Sequence, residues 1–260
     1  MKKSIVHRII TMAVVASAFT LTYAASAANI GFVKVAANAM DPFDQGWINR
    51  LASQGHAVTV FDQAAGGDPN VLNMNLVIIS QDVASGTAWS NFGNLARPIL
   101  AYEYGIYDNI FSTSTATAGE GNSSTLLANG INIMMPSHPL AAGLSGSANV
   151  SIYSGAGASI SYLPVSDNAS GTQVIAVSAD SPGSGLFLLL EAGATGENGQ
   201  TWSALRIGVP VYDSWNPALI TADGWRILDN CIAYALVPEP SSFALLGLGM
   251  TFFLARRQRR

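Results

Sequence analysis

The chain has 260 residues and a formal net charge of −4, but the charged residues are unevenly distributed. Only five basic residues lie within residues 28–236, where fifteen acidic residues give a net charge of about −10. A body this acidic excludes nucleic acid and anionic lipid as partners bound by charge. The single cysteine, Cys231, excludes an intramolecular disulfide and a cysteine-based metal site.

The first 27 residues have the three parts of a secretory signal peptide. A basic start is followed by an apolar stretch at residues 9–23, and residues 25–27 read Ala-Ser-Ala, a small-residue cleavage pattern. We therefore expect export from the cytoplasm, with signal peptidase as a partner. The mature chain should begin at Ala28 or Asn29, and its body is long enough for one domain with a sizeable core.

Strand and helix patterns alternate in the first part of the body. Residues 42–54 and 87–94 are predicted helices, and the apolar run at 75–80 is continuous, as expected for a parallel strand covered on both faces. This alternation with short connections predicts a doubly wound α/β fold. The predicted strands of this part are residues 29–35, 56–61, 75–80 and 97–102.

The second part of the body is richer in strands. A polar loop is predicted over residues 112–130. A closing helix is predicted from Thr221, as N-cap, to about Leu236, with Asp223 placed favourably for the helix dipole. The sequence thus predicts one domain over residues 28–236. The predicted short strands are residues 149–153, 159–165, 173–177, 186–191 and 202–211.

Four short segments of the body carry a family resemblance. They are the strand at 75–80, Arg-Pro-Ile-Leu at 97–100, His-Pro-Leu-Ala-Ala-Gly-Leu at 138–144, and Asp-Gly-Trp-Arg-Ile-Leu-Asp-Asn-Cys-Ile-Ala-Tyr at 223–234. This layout resembles the class I glutamine amidotransferase-like superfamily, and particularly its trehalose-utilisation-type branch. The resemblance implies a flavodoxin-like doubly wound sheet, here with extra β-rich segments.

The same resemblance bears on catalysis. In true amidotransferases a cysteine nucleophile follows the strand that matches residues 97–102, but the turn here reads Tyr-Glu-Tyr-Gly. Cys231 falls inside the closing helix and is interpreted as a core residue rather than a replacement nucleophile. We therefore expect no glutaminase activity, and the body is interpreted as non-catalytic.

Glu103 and His138 are the candidates for any remaining catalysis. Glu103 follows a central strand, at the edge where open α/β sheets bind ligands. If His138 meets it in space, the two form a pair suited to proton transfer. The alternatives, which we prefer, are a Glu103 carboxylate hydrogen-bonded to loop amides and a histidine that orders its own loop. His56, at the start of a strand, is interpreted as structural.

Aromatic side chains near loops suggest a carbohydrate-binding role. Tyr104 and Trp215 are candidates for stacking on sugar rings, and Asp213 for hydrogen bonds to hydroxyl groups. Half or more of the six aromatic residues in this group are expected to be core residues. The group consists of Tyr102, Tyr104, Tyr107, Trp202, Tyr212 and Trp215.

A second group of acidic residues lies near the ends of the first two strands. Their functional interpretation is a weak cation or sugar site, and the preferred one is a helix start and solvated turns. No metal-binding or nucleotide-binding motif is present, so no metal or cofactor is expected. The group consists of Asp41, Asp44, Asp62 and Asp68.

Residues 237–260 have three parts with separate roles. Pro238-Glu239-Pro240 cannot continue a helix and should form an extended, exposed tripeptide. Residues 243–255 are apolar apart from one threonine, and as a helix they would be about 20 Å long. This is shorter than the roughly 30 Å hydrocarbon core of a bilayer. The terminal arginine cluster, which includes Arg256 and Arg257, should stay cytoplasmic.

This order of parts resembles the PEP-CTERM sorting signal. The resemblance implies that an exosortase of a Gram-negative bacterium recognises and removes the tail. It also implies transient anchoring in the inner membrane, followed by release to the cell surface or the exopolysaccharide matrix. The alternative is a permanent tail anchor, which would leave a membrane-tethered periplasmic protein.

Three hypotheses for function follow. The first is an exported binding or structural module without catalysis, linked to exopolysaccharide or the cell surface. The second is a surface enzyme acting on carbohydrate through Glu103 and His138, which requires that their side chains converge. The third is the permanently anchored periplasmic protein.

Overall fold

The computed structural model describes residues 27–112, 124–156, 158–196 and 199–237. Within these ranges the chain forms eleven strands of one mixed sheet and four α-helices. The prediction of an α/β fold is confirmed. The predicted apolar tail helix and almost all of the predicted signal peptide lie outside the described residues. None of the helices in the described ranges has the length and apolar character needed to span a bilayer.

Five parallel strands make up one half of the sheet, in the spatial order β2-β1-β3-β4-β11. The sequence predicts all five, although the last is much shorter than the predicted residues 202–211. Their bounds are Asn29–Lys34 for β1, Ala57–Asp62 for β2, Leu76–Ile79 for β3, Ile99–Ala101 for β4 and Arg206–Gly208 for β11.

Antiparallel strands extend the sheet from β11 in the order β10-β9-β6-β7. Strand β8 pairs with both β10 and β5. The mixed sheet thus continues well beyond its parallel half. The bounds are Ser124–Leu127 for β5, Gly130–Ile133 for β6, Val150–Ser151 for β7, Ser159–Pro164 for β8, Gln173–Ser178 for β9 and Ser184–Leu190 for β10.

The polar loop predicted over residues 112–130 is wrong at its C-terminal end. Strand β5 lies inside that range, and β6 begins at its last residue. Thr125, Leu126 and Leu127 pair with β8, and Leu126 packs against the main apolar cluster. Pairing with β8 therefore holds this short apolar sequence in a strand. The polar residues around it conceal the strand pattern in the sequence.

Four α-helices cover the parallel half of the sheet. They are α1 at Pro42–Ser53, α2 at Ser85–Phe92, α3 at Tyr104–Phe111 and α4 at Ala222–Leu236. Helix α1 begins with proline at its first turn, where no intrahelical partner is lost. Helix α4 begins as predicted, because the Thr221 hydroxyl accepts a hydrogen bond of 3.0 Å from the Gly224 N–H.

The helices lie on both faces of the sheet. Helices α1 and α4 pack in one apolar cluster with Ile30 and Phe32, whereas α2 and α3 pack in a second with Val77 and Ile79. Successive residues of the central strands therefore point into opposite clusters, which explains their continuous apolar sequences. The parallel half is a sheet between two helical layers.

An ion pair fastens α4 to α1 on their shared face. The Arg50 guanidinium donates two hydrogen bonds to the Asp229 carboxylate, at 2.8 Å and 2.6 Å, and its carbon lies 4.9 Å from the centre of the Trp225 ring. Two parallel hydrogen bonds fix direction as well as distance, so this contact sets how α4 lies against α1.

Candidate functional site

Helix starts and strand ends meet at one edge of the parallel half. The five parallel strands all end there, and we call it the carboxyl edge. Strand β3 is followed by Ser80 and Gln81, and β4 by Tyr102 and Glu103, while α1, α2 and α3 begin beside them. Open α/β sheets bind ligands at this edge, so it is the candidate site.

Glu103 is the N-cap of α3 and is only 3% exposed. Its Oε1 accepts hydrogen bonds from the Ser85 hydroxyl at 2.8 Å and from the Gly105 N–H at 3.2 Å. Gln81 donates from its amide nitrogen to Oε2. Burial raises the pKa of Glu103 to about 7, although the bonds from Ser85 and Gly105 oppose the shift. The carboxyl group therefore changes charge near neutral pH.

Asp44 is the second buried carboxyl group of this edge. It lies in the first turn of α1 and is fully buried, with the Ser80 hydroxyl donating to Oδ2 at 2.7 Å and the Tyr102 hydroxyl donating to Oδ1. Burial raises its pKa to about 6, against the lowering effect of these two hydrogen bonds.

The four acidic residues predicted near the first strand ends thus differ in their environments. The preferred interpretation of solvated turns fits Asp62, whose carboxylate accepts from the N–H groups of Ala36 and Ala64. Asp44 is at a helix start, as the preferred interpretation states, but it is buried there. Its partners, Ser80 and Tyr102, directly follow β3 and β4.

Asp213 lies on the chain that returns along the carboxyl edge after β11. It is half-buried, and burial followed by the charges of Asp41 and Asp82 raises its pKa to about 6. Burial and the charges of Asp213 and Glu103 also raise the pKa of Tyr212. Asp213 and Tyr212 follow β11, and Glu103 follows its parallel neighbour β4, so the three residues lie at the same edge of the sheet.

Tyr104 completes this group at the surface. It is 39% exposed and is the first residue of α3, directly after Glu103. The charge of its phenol contributes to the raised pKa of Tyr212. Three of the predicted site residues, Tyr104, Asp213 and Glu103, thus lie at the carboxyl edge, and Glu103 is the buried one of the three.

Lys34 places a positive charge at the same edge. It is 3% exposed, its ammonium group donates to the Val35 and Asn38 carbonyl oxygens at 2.6 Å and 2.8 Å, and it lies 3.6 Å from an Asp82 carboxylate oxygen. The lysine is thus occupied in ordering the chain after β1. In the described ranges, no three His, Cys, Asp or Glu side chains are grouped so as to hold a metal ion.

His138 is not part of this site. Its Nδ1 accepts a hydrogen bond of 3.2 Å from the Leu140 N–H, and its ring centre lies 5.3 Å from that of Tyr234, near the end of α4. Burial lowers its pKa, against the charge of Glu191. None of these neighbours contacts Glu103, so the structure does not form the acid/base pair. His138 orders its loop, as the preferred interpretation states.

Trp215 does not offer a ring to a ligand. It is 1% exposed, stacks on Tyr153 with ring centres 4.5 Å apart, and donates from its indole nitrogen to the Ser159 carbonyl oxygen at 2.9 Å. Its proposed role in sugar stacking is therefore corrected to a core role. The expectation that at least half of the six aromatics are core residues is confirmed, since Tyr102, Tyr107, Trp202 and Trp215 are buried.

Cys231 is fully buried in α4, as predicted, and burial raises the pKa of its thiol well above the ordinary value. A neutral, inaccessible thiol is a poor nucleophile. His56 is also buried, and its Nδ1 accepts a hydrogen bond of 3.3 Å from the Ala28 N–H, which agrees with a structural role.

Sequence reasoning missed several residues of the carboxyl edge. Gln81 and Ser85 contact Glu103, and Asp82 lies 3.6 Å from the Lys34 ammonium group, yet none has a motif of its own. The signal that identifies them is position, because each follows a parallel strand just as Glu103 does. Placing the strands in order would have found them.

The family model described as PEP-CTERM protein-sorting motif matches residues 236–260. A comparison with curated proteins finds none that matches the chain. The match confirms the predicted sorting motif, which implies processing by an exosortase and export to the cell envelope or surface. The predicted processing residues fall within the match and outside the described residues. They are Pro238, Glu239, Pro240, Arg256 and Arg257.

Proposed function

We propose that this chain is an exosortase-processed protein of the cell surface whose body is a non-catalytic module that binds the hydroxyl groups of an exopolysaccharide. Signal peptidase removes residues 1–27 of the precursor, and the tail anchors it transiently in the inner membrane of a Gram-negative cell. The exosortase then releases residues 28–236 with whatever part of the sorting motif remains. The sorting motif at residues 236–260 supports this route.

The proposed body is a flavodoxin-like, amidotransferase-like sheet without its catalytic thiol. The spatial order of the parallel strands supports this, because the second, first, third, fourth and fifth parallel strands of the chain lie side by side, with helices on both faces. Glu103 stands in the turn after β4, where the amidotransferase nucleophile would be, and it caps a helix there. Binding is therefore proposed in place of catalysis.

The position of the exposed Tyr104 and the half-buried Asp213 after two neighbouring parallel strands, β4 and β11, is the observation that carries the binding proposal. An exposed aromatic ring stacks on the apolar face of a sugar, and a carboxylate accepts hydrogen bonds from its hydroxyl groups. The acidic body repels polyanions, so the proposed ligand is a neutral polysaccharide.

Co-sedimentation with the exopolysaccharide of the producing cell tests this function, using mature protein purified from cells that contain the exosortase. We expect Tyr104→Ala to weaken binding about fivefold or more, the cost of removing one well-placed aromatic contact. Leu72→Ala is the control, because Leu72 is 56% exposed and its carbonyl oxygen accepts from Arg97, in the segment that precedes β4 at the opposite edge of the sheet. Equal binding by both variants, or no binding by the unaltered protein, overturns the proposal.

The sorting route has its own test. The intact mass of the protein from cells with and without the exosortase should differ by the tail, with loss of the arginine cluster only when the enzyme is present. A tail that is retained in both cells would instead support the permanently anchored periplasmic protein.

A further inference from the structure

A groove of 1210 Å³ opens at the edge opposite the candidate site. We call it the amino-edge groove, because residues that directly precede parallel strands line it. Helix α4 supplies another wall with its last two turns. The residues that precede strands are Ala28 before β1, His56 before β2, Asn75 before β3, and Pro98 before β4.

Both ends of the body lie at this groove. Ala27, from the predicted leader cleavage site, and Val237, the residue after α4, are among its lining residues. The leader and the tail therefore leave the body from the same edge. The amino-edge groove is therefore the part of the body next to the start of the tail, and the carboxyl edge lies at the opposite end of the strands.

The sorting motif begins without a spacer. Its match starts at Leu236, the last residue of α4, so Val237 alone separates the helix from Pro238. One extended residue spans at most about 3.6 Å. On the amino-terminal side of this residue, Ile232 and Ala235 are buried in the core. An enzyme that closes around Pro238 to Pro240 must therefore touch the folded body, unless α4 unwinds and exposes those residues.

We propose that the amino-edge groove is the surface on which the exosortase docks when it processes the tail. The groove surrounds the point from which the substrate segment emerges, so an enzyme bound at that segment meets its walls first. Docking there avoids the loss of helix α4 from the core, which the missing spacer would otherwise require. The proposal rests on the sorting motif and is independent of what the carboxyl edge binds.

The chemistry of the groove describes the partner surface that fits it. Its walls are mainly apolar, with exposed Ala233 on α4 and exposed Ala96 before β4. The exposed Arg97 guanidinium at its rim lies within 4 Å of no carboxylate in the described ranges, whereas Asp229 is already paired with Arg50. The matching face of the enzyme is therefore apolar, with an acidic group placed against Arg97.

The rate of tail removal from the full chain, in cells with the exosortase, tests the docking surface. Ala233→Gln places a longer neutral side chain in the groove on an exposed helical position, and we expect it to slow removal about fivefold or more. Ala52→Gln is the matched control, since Ala52 is an exposed position of α1 that does not line the groove, and it should leave the rate unchanged.

Insertion of a spacer distinguishes a docking defect from a folding defect as the cause of slow tail removal. Six Gly/Ser residues inserted between Val237 and Pro238 span roughly 13 Å, enough to let the enzyme work away from the groove. We expect Ala233→Gln to have no effect on the rate in that background. The proposal is overturned if Ala233→Gln slows tail removal equally when the spacer is present, or if it does not slow tail removal in the chain without the spacer. Faster removal also overturns it, because it would mean that the groove holds the chain's own Pro-Glu-Pro. An unprocessed parent chain would instead refute sorting itself.

Discussion

The hydroxyl of Tyr102, at the end of β4, donates a hydrogen bond to the carboxylate of Asp44, in the first turn of α1, and both groups are sealed from solvent. The contact joins a helix to a strand 58 residues further along the chain. Among the described residues, the side chains of Tyr102 and Ser80 donate to Asp44 and partly compensate for its burial. A charge on this carboxyl group is therefore costly.

Tyr102→Phe should destabilise the body more at pH 8 than at pH 5. At pH 8 Asp44 is ionised, and loss of a hydrogen bond to a buried charge costs about 1.5–3 kcal/mol. At pH 5 the carboxyl group is mainly protonated, and the loss costs about 1 kcal/mol. Urea unfolding at both pH values measures the difference.

Tyr107→Phe is the control for that experiment. The Tyr107 hydroxyl is equally buried but donates to the Val209 carbonyl oxygen at 2.8 Å, an acceptor that does not titrate. Its loss should cost about 1 kcal/mol at either pH. If both variants respond alike to pH, the Tyr102–Asp44 contact does not have the role assigned to it.

The free energy of unfolding should fall as pH rises from about 4 to about 7. The pKa values of Asp44, Glu103 and Asp213 are raised in the folded state, to about 6, about 7 and about 6. Between the unfolded and folded values the folded state holds more protons, so raising the pH favours unfolding. The urea midpoint should be higher at pH 5 than at pH 8.

Glu103→Gln identifies the largest part of that dependence. The amide cannot ionise, so the difference between the midpoints at pH 5 and pH 8 should shrink relative to the parent protein. A midpoint that does not change with pH in the parent, or a variant with an unaltered difference, would contradict the assignment of these carboxyl groups.

Binding at the carboxyl edge should follow pH in the opposite direction. Hydrogen bonds to an ionised acceptor are roughly twice as strong as those to a neutral one, so protonation of Asp213 below about pH 6 should weaken polysaccharide binding. Since the fold is expected to be more stable at pH 5 than at pH 8, weaker binding at pH 5 would not reflect unfolding. Co-sedimentation across this range checks it, and binding by Asp213→Asn should lose most of its pH dependence.

Arg206→Met should be among the most destabilising single changes. The Arg206 side chain is fully buried, and its guanidinium donates to five backbone carbonyl oxygens, each of which would lose that bond. The Leu205 oxygen would keep its bond from the Ile99 N–H. We expect a loss of about 3 kcal/mol or more, measured by urea unfolding. Arg97→Met, at an exposed position, should cost within about 0.5 kcal/mol. The acceptors are the carbonyls of Gly93, Leu95, Arg97, Ala204 and Leu205.

The Cys231 thiol should resist modification in the folded protein. It is fully buried, so a thiol reagent reaches it only when α4 opens. Labelling in buffer should be on the order of a thousandfold slower than in 6 M guanidinium chloride, as expected for a stable core position. Rapid labelling of the folded protein would contradict the assignment of Cys231 as a buried, unreactive thiol.

The sequence predicted the elements whose signal lies within their own residues. The continuous apolar run of β3 and the Thr221 cap of α4 needed no knowledge of distant contacts. Helix α3 was missed, because its residues Tyr-Gly-Ile-Tyr-Asp-Asn-Ile-Phe are mostly weak helix formers. Burial of seven of its eight residues outweighs that weak propensity.

The candidate site was predictable only in part for a related reason. Glu103 follows a strand of the predicted doubly wound part, so the rule for open α/β sheets finds it. Asp213 follows the predicted strand at 202–211, whose parallel pairing with β4 only the structure shows. The burial of Asp44 depends on Ser80 and Tyr102, which lie 36 and 58 residues away. Nothing in the local pattern of an acidic residue in a first helical turn distinguishes a buried carboxyl group from a solvated one.

The departure of the tail directly from α4 determines how the body bears mechanical load. When the tail is held in a membrane and the body is pulled, for example by attached polymer, tension enters at Leu236 and not at a strand. The last two turns of α4 bear this tension first. The hydrogen bond from the Tyr234 hydroxyl to Glu191, two residues before Leu236, is loaded before the Arg50–Asp229 ion pair, seven residues before it. The carboxyl edge lies at the opposite end of the parallel strands, so the candidate site is far from the point where tension enters.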